Sequence, residues 1–242
     1  MFYLFHHMPK CGGTSFRNFL QSVFTVHGDY VGTDPQTDPE KFAEFSKKRL
    51  NLSQMTEQDC VAGHYNVSGI HLHERYPELE RLPHRKFCIL RDPFEAAKSG
   101  VRYNVKRGLL PKGEMPSDFD MKFLNVQMLR RANYYSRVFG LRSEDDFPAL
   151  FARYWFIAPL DRLDQAVRMI EQETGRRGKR PGLLNATRPW QEDFAPELEE
   201  EFRERAWLDY RLYDMACLHF GGVAARSLLP SSDAAQGICT AS

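Results

Sequence analysis

The chain opens with a short apolar run that passes through a glycine-rich bend into an amphipathic helix, and this order constrains the fold most. Residues 2–6 (FYLFH) have the length and composition of a buried strand. After the bend PKCGGT, apolar residues at 16, 19, 20, 23 and 24 recur at the spacing of one helix face. The same order of strand, turn and helix recurs at 86–90 (KFCIL). The RDP that follows places an aspartate to cap a helix whose first residue is the proline.

The remaining pattern alternates helices and strands in the same way. Helices are predicted over 118–132, 144–154, 160–173 and 196–220, with a further strand over 155–158. The polar stretch that holds Asp34-Pro35 and Asp38-Pro39 is predicted to be a loop, since helix is disfavoured before proline. Alternating strands and helices predict an α/β fold of three layers, in which a central parallel sheet is flanked by helices and ligands bind at the carboxyl ends of its strands.

Neither a linker nor an internal repeat divides the chain. Its 242 residues are enough for one sizeable core. We therefore expect a single domain over residues 1–222. The Ser- and Ala-rich residues 223–242 are predicted to form a disordered tail.

Composition limits the classes of partner. The 33 basic residues nearly balance the 32 acidic ones, and a net charge of +1 lacks the overall basicity of a nucleic-acid-binding protein. Any anion site must therefore be local. No stretch approaches the roughly 20 apolar residues of a membrane span, so no transmembrane segment is expected. The five cysteines include no CxxC pair, which favours reduced thiols and a cytoplasmic location over a disulfide framework or a zinc site.

The opening bend has the chemistry of a phosphate-binding loop. Gly12 and Gly13 let backbone N–H groups approach an anion, Thr14 and Ser15 add hydroxyl donors, and Lys10 adds a positive charge. The bend is not a Walker A sequence, whose lysine follows the glycines, so a P-loop-like fold with a different donor is indicated. The alternative, that the glycines only end a strand and Lys10 is solvated, stays open.

Two motifs together resemble a known family. HHMPKCGGTS is similar to the 5′-phosphosulfate loop of carbohydrate-type sulfotransferases, the group of the heparan sulfate 2-O-sulfotransferases, the chondroitin and dermatan enzymes and their bacterial relatives. ILRDPFEAAKS resembles the second family motif, R-D-P-x-x-R-x-x-S, except that Ala96 replaces the inner arginine. Weaker echoes, among them GHYNVSGIH and FIAPLDRLDQAV, follow in family order over nearly the whole predicted domain. The chain thus looks like a soluble bacterial member consisting of one sulfotransferase domain.

The resemblance implies a donor and a set of binding residues. The donor would be 3′-phosphoadenosine 5′-phosphosulfate, held at its phosphosulfate by the loop Lys10, Cys11, Gly12, Gly13, Thr14 and Ser15. Lys10 would be catalytic, because a cation at the bridging oxygen stabilises charge that develops as the S–O bond breaks. Arg91 and Ser99 would bind the 3′-phosphate, and no metal would be required. A plain salt bridge of Arg91 to an acidic residue is the alternative.

The acceptor hydroxyl needs a base, and His64 in AGHYNVSG aligns with the histidine segment of the family. A positioned histidine is the usual proton acceptor in such a reaction, although a lone histidine is more often structural, so both interpretations stay open. His71 and His73 lack further ligands at zinc spacing and are expected to be solvated. Three basic clusters, at 102–112, 130–131 and 176–180, could receive an acidic acceptor or the 3′-phosphate. Either 176–180 or 185–188 could close over the nucleotide.

The leading hypothesis is a metal-independent sulfotransferase that acts on a hydroxyl of a glycan, glycolipid or other small acceptor. A nucleotide kinase or other nucleoside triphosphatase is the first alternative, and a non-catalytic sensor of the same nucleotide is the second. Neither the acceptor nor the oligomeric state can be predicted from the sequence.

Overall fold

The computed structural model describes residues 1–32, 38–67, 69–108, 110, 118–181 and 194–228. In this part of the chain, the strands are β1 (Phe2–His6), β2 (Thr25–Asp29), β3 (Asp59–Gly63), β4 (His84–Leu90) and β5 (Phe156–Pro159). The α-helices are α1 (Gly13–Val23), α2 (Pro39–Lys47), α3 (Leu72–Arg75), α4 (Pro93–Lys106), α5 (Asp118–Leu129), α6 (Tyr134–Phe139), α7 (Phe147–Ala152), α8 (Leu163–Thr174), α9 (Pro196–Arg205) and α10 (Trp207–Leu228).

The strands form one parallel sheet in the order β2-β3-β1-β4-β5. The chain leaves β1 toward β2 on one side, and it leaves β4 toward β5 on the other. The outgoing connections of two neighbouring strands therefore diverge, which opens a crevice at their carboxyl ends. The two motifs found in the sequence follow β1 and β4, so both begin at this crevice.

Helices cover both faces of the sheet, which confirms the predicted three-layer α/β fold. On one face, alternate strand residues such as Phe5, Phe87 and Phe156 pack against α1, α8 and the second half of α10. On the other face, the intervening residues meet α3 beside β1 and β3, and α6, α7 and the start of α10 beside β4 and β5. Because both faces are buried, β1 is apolar almost throughout. A further cluster joins α4, α5 and α9 beyond the sheet.

Several local predictions are confirmed by backbone geometry. β1 occupies residues 2–6, and α1 follows the glycine bend directly. The carboxylate of Asp92 accepts a 3.0 Å hydrogen bond from the Glu95 amide, so it caps α4 as expected, with Pro93 in the first turn. The predicted final helix is divided at Ala206 into α9 and α10.

Two predictions are wrong. The Asp38-Pro39 pair starts α2 instead of lying in a loop, because Asp38 itself is non-helical and its carboxylate caps the Lys41 amide at 3.1 Å. Asp34-Pro35 lies outside the described residues. At the other end, α10 extends to Leu228, beyond the boundary expected at 222, because Ala224 is buried and Val223 packs against the core. Residues 229–242 lie outside the described part.

A buried ion pair holds the segment around α2 and α3 to the carboxyl end of β2. The carboxylate of Asp29 accepts hydrogen bonds from Arg75 Nη2 at 2.7 Å and Nε at 2.9 Å, and from the Tyr76 hydroxyl at 2.9 Å. Arg75 also donates to the main-chain oxygen of Lys48 at 2.5 Å, so a single guanidinium connects β2, α3 and the end of α2. None of the helices in the described ranges is long and apolar enough to cross a membrane.

Candidate active site

The loop between β1 and α1, residues 7–12, bends sharply at the edge of the crevice. Lys10 has a φ of 67° and Gly12 a φ of 74°, both in the left-handed region. For a lysine this conformation is unfavourable, and such strain persists where the surrounding structure imposes it, often at functional sites. The bend turns the chain so that α1 starts at the carboxyl end of β1.

The glycine pair is required by close packing on both sides of this loop. A Cβ at Gly12 would overlap the Leu160 side chain, and one at Gly13 would overlap the His7 imidazole. Within the described residues, no side chain caps the start of α1, and its first turn contains no acidic residue. Its N–H groups and helix dipole therefore favour an anion at this position. Thr14 is exposed at this end of the helix, whereas Ser15 is buried.

Lys10 extends from the loop toward α4. Its Nζ lies 4.0 Å from the centre of the Tyr103 ring, a cation–π contact. Burial lowers the pKa of Lys10, and the nearby Arg131 and Arg91 cations lower it further. Lys10 thus lies close enough to two cations from other parts of the chain to be repelled by both, an arrangement that a bound anion would relieve.

Arg91 follows β4 directly and is paired with an acid in this structure. Its Nη2 donates a 2.8 Å hydrogen bond to Glu95 one turn later on α4, and Glu95 also contacts Lys98. The salt-bridge alternative considered for Arg91 is therefore present. Both side chains are about one-third exposed, at 32% and 39% for Arg91 and Glu95, so the pair is accessible to a competing anion. Ser99, half-buried, lies on the same helix two turns beyond Pro93.

The side chain of Cys11, a residue of the loop, is buried and contacts Tyr135. The buried Tyr135 hydroxyl donates to the Arg91 main-chain oxygen at 2.8 Å, and its oxygen lies 3.2 Å from Cys11 Sγ. The Cys11 thiol also has the Pro9 main-chain oxygen within hydrogen-bond distance, at 3.5 Å, as an acceptor for its proton. Burial raises the pKa of Cys11 to about 11, so it remains a thiol. One hydroxyl therefore joins the loop after β1 to the loop after β4.

A small pocket of about 20 Å³, partly open to solvent, lies between these loops and the α5–α6 turn. Its walls combine cationic, aromatic and small apolar side chains, contributed by Pro9, Lys10, Pro93, Ala96, Ala97, Arg131, Tyr134, Tyr135 and Asp209. Small apolar walls with convergent polar groups are typical of ligand sites. Both sequence motifs contribute to this one pocket, through Lys10 on one side and through Pro93, Ala96 and Ala97 on the other.

His64 lies on the opposite side of the glycine loop, after β3, in a cluster with His7 and Tyr30. The His7 and His64 ring centres are 4.5 Å apart, and His7 Nδ1 shares a 2.9 Å hydrogen bond with the Tyr30 hydroxyl. Burial lowers the pKa of His64 to about 4 and that of His7 to about 3. Both rings are therefore neutral at pH 7, and each retains a nitrogen able to accept a proton. Of the two, His64 is the less buried.

The basic clusters divide between the two edges of the sheet. Arg131 lies at the crevice, whereas its neighbour Arg130 is exposed. Arg176, by contrast, donates to the main-chain oxygen of Val23 at the end of α1, which is the opposite edge. Segment 176–180 is therefore not placed to close over a ligand in the crevice, and segment 185–188 lies outside the described residues. His71 and His73 are exposed, and no group of three or more metal-binding side chains occurs among the described residues.

No protein-family model and no curated protein matches this chain. Among solved structures, a sulfotransferase from Alicyclobacillus acidocaldarius is similar to it. The alignment covers 88% of this chain and 94% of that one, at 13% identity and a TM-score of 0.45. A similarity at this level does not by itself establish a shared activity.

Proposed function

We propose that this protein is a sulfotransferase that uses 3′-phosphoadenosine 5′-phosphosulfate and transfers its sulfuryl group to a hydroxyl of a carbohydrate or glycoconjugate. The observation that carries the proposal is the meeting of two motifs, both resembling those of carbohydrate-type sulfotransferases, at one crevice. The glycine loop presents Lys10 and the start of α1 there, and the second motif presents Arg91. The free thiols of Cys11, Cys60, Cys88 and Cys217 support a reducing, cytoplasmic location.

In this proposal, Lys10 leaves the Tyr103 ring and binds the bridging oxygen of the phosphosulfate. As the acceptor oxygen bonds to sulfur, the bond from sulfur to the 5′-phosphate oxygen breaks, and its electron pair remains on that oxygen. A cation at this oxygen stabilises the transition state more than the ground state, because negative charge develops there as the bond breaks. Lys10 is therefore the residue whose removal should slow transfer most, and the chemistry needs no metal.

His64 is the proposed base that takes the acceptor proton. Because burial keeps its imidazole neutral at pH 7, it needs no prior deprotonation. A pKa of about 4 makes it a weak base in the free protein. A bound phosphosulfate would raise this pKa through its negative charge, so His64 becomes a stronger base when the donor is present.

Binding of 3′-phosphoadenosine 5′-phosphate, measured by isothermal titration calorimetry, tests the proposal directly. The proposal expects saturable binding without added metal. Absence of binding at millimolar ligand would refute it. Binding of Mg-ATP instead would favour the nucleotide kinase alternative, which requires a lysine after the glycines.

Transfer assays separate an enzyme from a sensor. With radiolabelled donor and a panel of glycan and glycolipid acceptors, Lys10→Ala and His64→Ala should each lose transfer, whereas the exposed His71→Ala should retain it. Undiminished transfer in both site variants would refute the assigned roles. Donor binding without transfer to any acceptor would favour the sensor, and a labelled product would identify the acceptor class.

A further inference from the structure

One position of the second motif lacks the side chain that the family pattern has. Ala96 stands where the pattern R-D-P-x-x-R-x-x-S has its inner arginine. Ala96 is buried and lines the pocket that also contains Lys10. The methyl group leaves this part of the pocket without the cation that an arginine would bring from α4.

The guanidinium of Arg131 reaches the same part of α4 from the α5–α6 turn. It lies across Gly100, where a Cβ would stand 2.6 Å from Arg131 Cζ. Gly100 is one turn beyond Ala96 on α4, so the two positions share a face of that helix. Only a residue without a side chain at 100 leaves room for the guanidinium to pack there.

Arg131 has no acidic partner among the residues that the structure describes. Its side chain forms no ion pair in this part of the chain, and burial lowers its pKa. Lys10, its neighbour in the pocket, is also a cation. A half-buried guanidinium that has a cation as its neighbour and no acidic partner is unfavourable unless an anion binds to it.

We propose that Arg131 supplies the guanidinium that position 96 lacks and binds the 3′-phosphate of the donor together with Arg91. The inference rests on the proposed function and assigns a specificity residue within it. A guanidinium matches a phosphate through two parallel hydrogen bonds, which a lysine cannot reproduce. Arg131 would therefore distinguish nucleotides that carry a 3′-phosphate from those that do not.

The test compares two ligands that differ only in that phosphate: 3′-phosphoadenosine 5′-phosphate and adenosine 5′-phosphate. Arg131→Ala should weaken binding of the first by about tenfold to a hundredfold and leave binding of the second within about twofold. Arg131→Lys should recover only part of the loss. The adjacent, exposed Arg130→Ala is the matched control and should bind both ligands as the unsubstituted protein does.

Two further variants test the position of the guanidinium. Gly100→Ala should weaken binding of the 3′-phosphorylated ligand without a change of charge, because its methyl group displaces Arg131. Adding Ala96→Arg to Arg131→Ala should restore part of the affinity.

The outcomes are distinguishable. Unchanged affinity of Arg131→Ala for 3′-phosphoadenosine 5′-phosphate, or an equal loss for both ligands, would overturn this inference alone. If the unsubstituted protein bound no 3′-phosphoadenosine 5′-phosphate, the proposed function would be overturned and the inference with it. Circular dichroism spectra of each variant show whether a loss reflects unfolding.

Discussion

Tyr135 lines the pocket with its ring, and its hydroxyl also sets the geometry of the two loops around that pocket. Its hydroxyl joins the main chain of Arg91 to the thiol of Cys11, while its amide donates to Asp209 on α10 at 2.9 Å. The loops after β1 and β4 are therefore positioned relative to each other from beneath. Such buried polar networks fix geometry only when each member is satisfied.

We expect Tyr135→Phe to impair donor binding, because it keeps the ring that lines the pocket but removes the hydroxyl that holds the Arg91 main chain. The substitution removes the hydroxyl that bonds to the carbonyl and the amide of Arg91, and should lower the free energy of unfolding by about 1–3 kcal/mol. If Tyr135 is a positioning residue, the KM for the donor should rise while the KM for the acceptor stays constant.

Tyr76→Phe is the matched control, since it removes a buried hydroxyl that bonds to Asp29 away from the site. It should reduce stability and leave the donor KM unchanged. Equal donor KM values for the two variants would show that Tyr135 has only a structural role.

Glu95 is the acid that Arg91 would have to release, at least in part, to bind a phosphate. Glu95→Gln removes this competing charge, so affinity for 3′-phosphoadenosine 5′-phosphate should rise by up to about fivefold, the range expected for a partly exposed ion pair. Calorimetric titration measures the change. Glu199→Gln, which breaks a similar pair with Arg203 on α9, should have no effect. Weaker binding would instead mean that Glu95 holds Arg91 in its binding orientation.

Among the structural elements, the junction of β1 with α1 depends on the absence of a side chain at Gly13. A methyl group there would meet His7, which is buried and held by Tyr30 and therefore cannot move away easily. Gly13→Ala should lower the free energy of unfolding by about 1–3 kcal/mol, as overpacking of a core does, and weaken donor binding. Gly32→Ala, at an exposed position where the added group meets nothing within 4 Å among the residues that the structure describes, is the control for urea denaturation. Equal stability of the two variants would contradict this account.

The elements that the sequence predicts correctly are those with strong local signals. β1, α1, β4 and α4 combine apolar runs with caps or glycines. β2 (Thr25–Asp29) is missed because this edge strand is mostly half-exposed and has few apolar residues. α2 is missed because a residue that precedes proline disfavours helix, so the pattern predicts a loop there. In the structure, Asp38 precedes the helix and adopts a non-helical conformation, which is the conformation that a following proline favours. Pro39 can therefore occupy the first turn of α2.

The site is predictable only where its residues lie next to each other in sequence. Lys10, Gly12 and Gly13 form one motif, so local chemistry indicates their role. Tyr135 is 124 residues from Cys11, and only packing brings the two together. Arg131 belongs to a recognised basic pair, but the sequence offers no signal that separates it from Arg130. Arg130 is exposed and Arg131 is half-buried because of how α5 packs against α4.

The whole molecule has a net charge of +1, but its positive side chains are unevenly distributed. Lys10, Arg91 and Arg131 lie at the carboxyl edge of the sheet, where the start of α1 adds its own positive potential. Arg176 lies at the other edge and bonds to main-chain oxygens there. Local convergence of cations therefore makes an anion site in a nearly neutral protein.

Buried neutral histidines make the stability of the whole fold dependent on pH. Burial lowers the pKa of His6 and His64 to about 4 and that of His7 to about 3. Between these values and the ordinary histidine pKa of about 6.5, the unfolded chain binds protons that the folded protein does not. The contribution of these histidines to the free energy of unfolding is therefore complete above pH 6.5 and is lost progressively as pH falls toward 4. Burial raises the pKa of Asp209, which acts in the opposite direction but is a single group.

Urea denaturation at pH 7, 6 and 5 should accordingly show a falling free energy of unfolding, with a slope of about 1.4 kcal/mol per pH unit for each such histidine below pH 6. His64→Asn should reduce this slope by about 1.4 kcal/mol per pH unit, the equivalent of one proton. It removes one group that is neutral in the folded protein and charged in the unfolded chain. The exposed His71→Asn is the control and should leave the slope unchanged. A free energy of unfolding that does not change with pH over this range would contradict the burial of these rings. An unchanged slope in His64→Asn would show that His64 titrates as freely in the folded protein as in the unfolded chain.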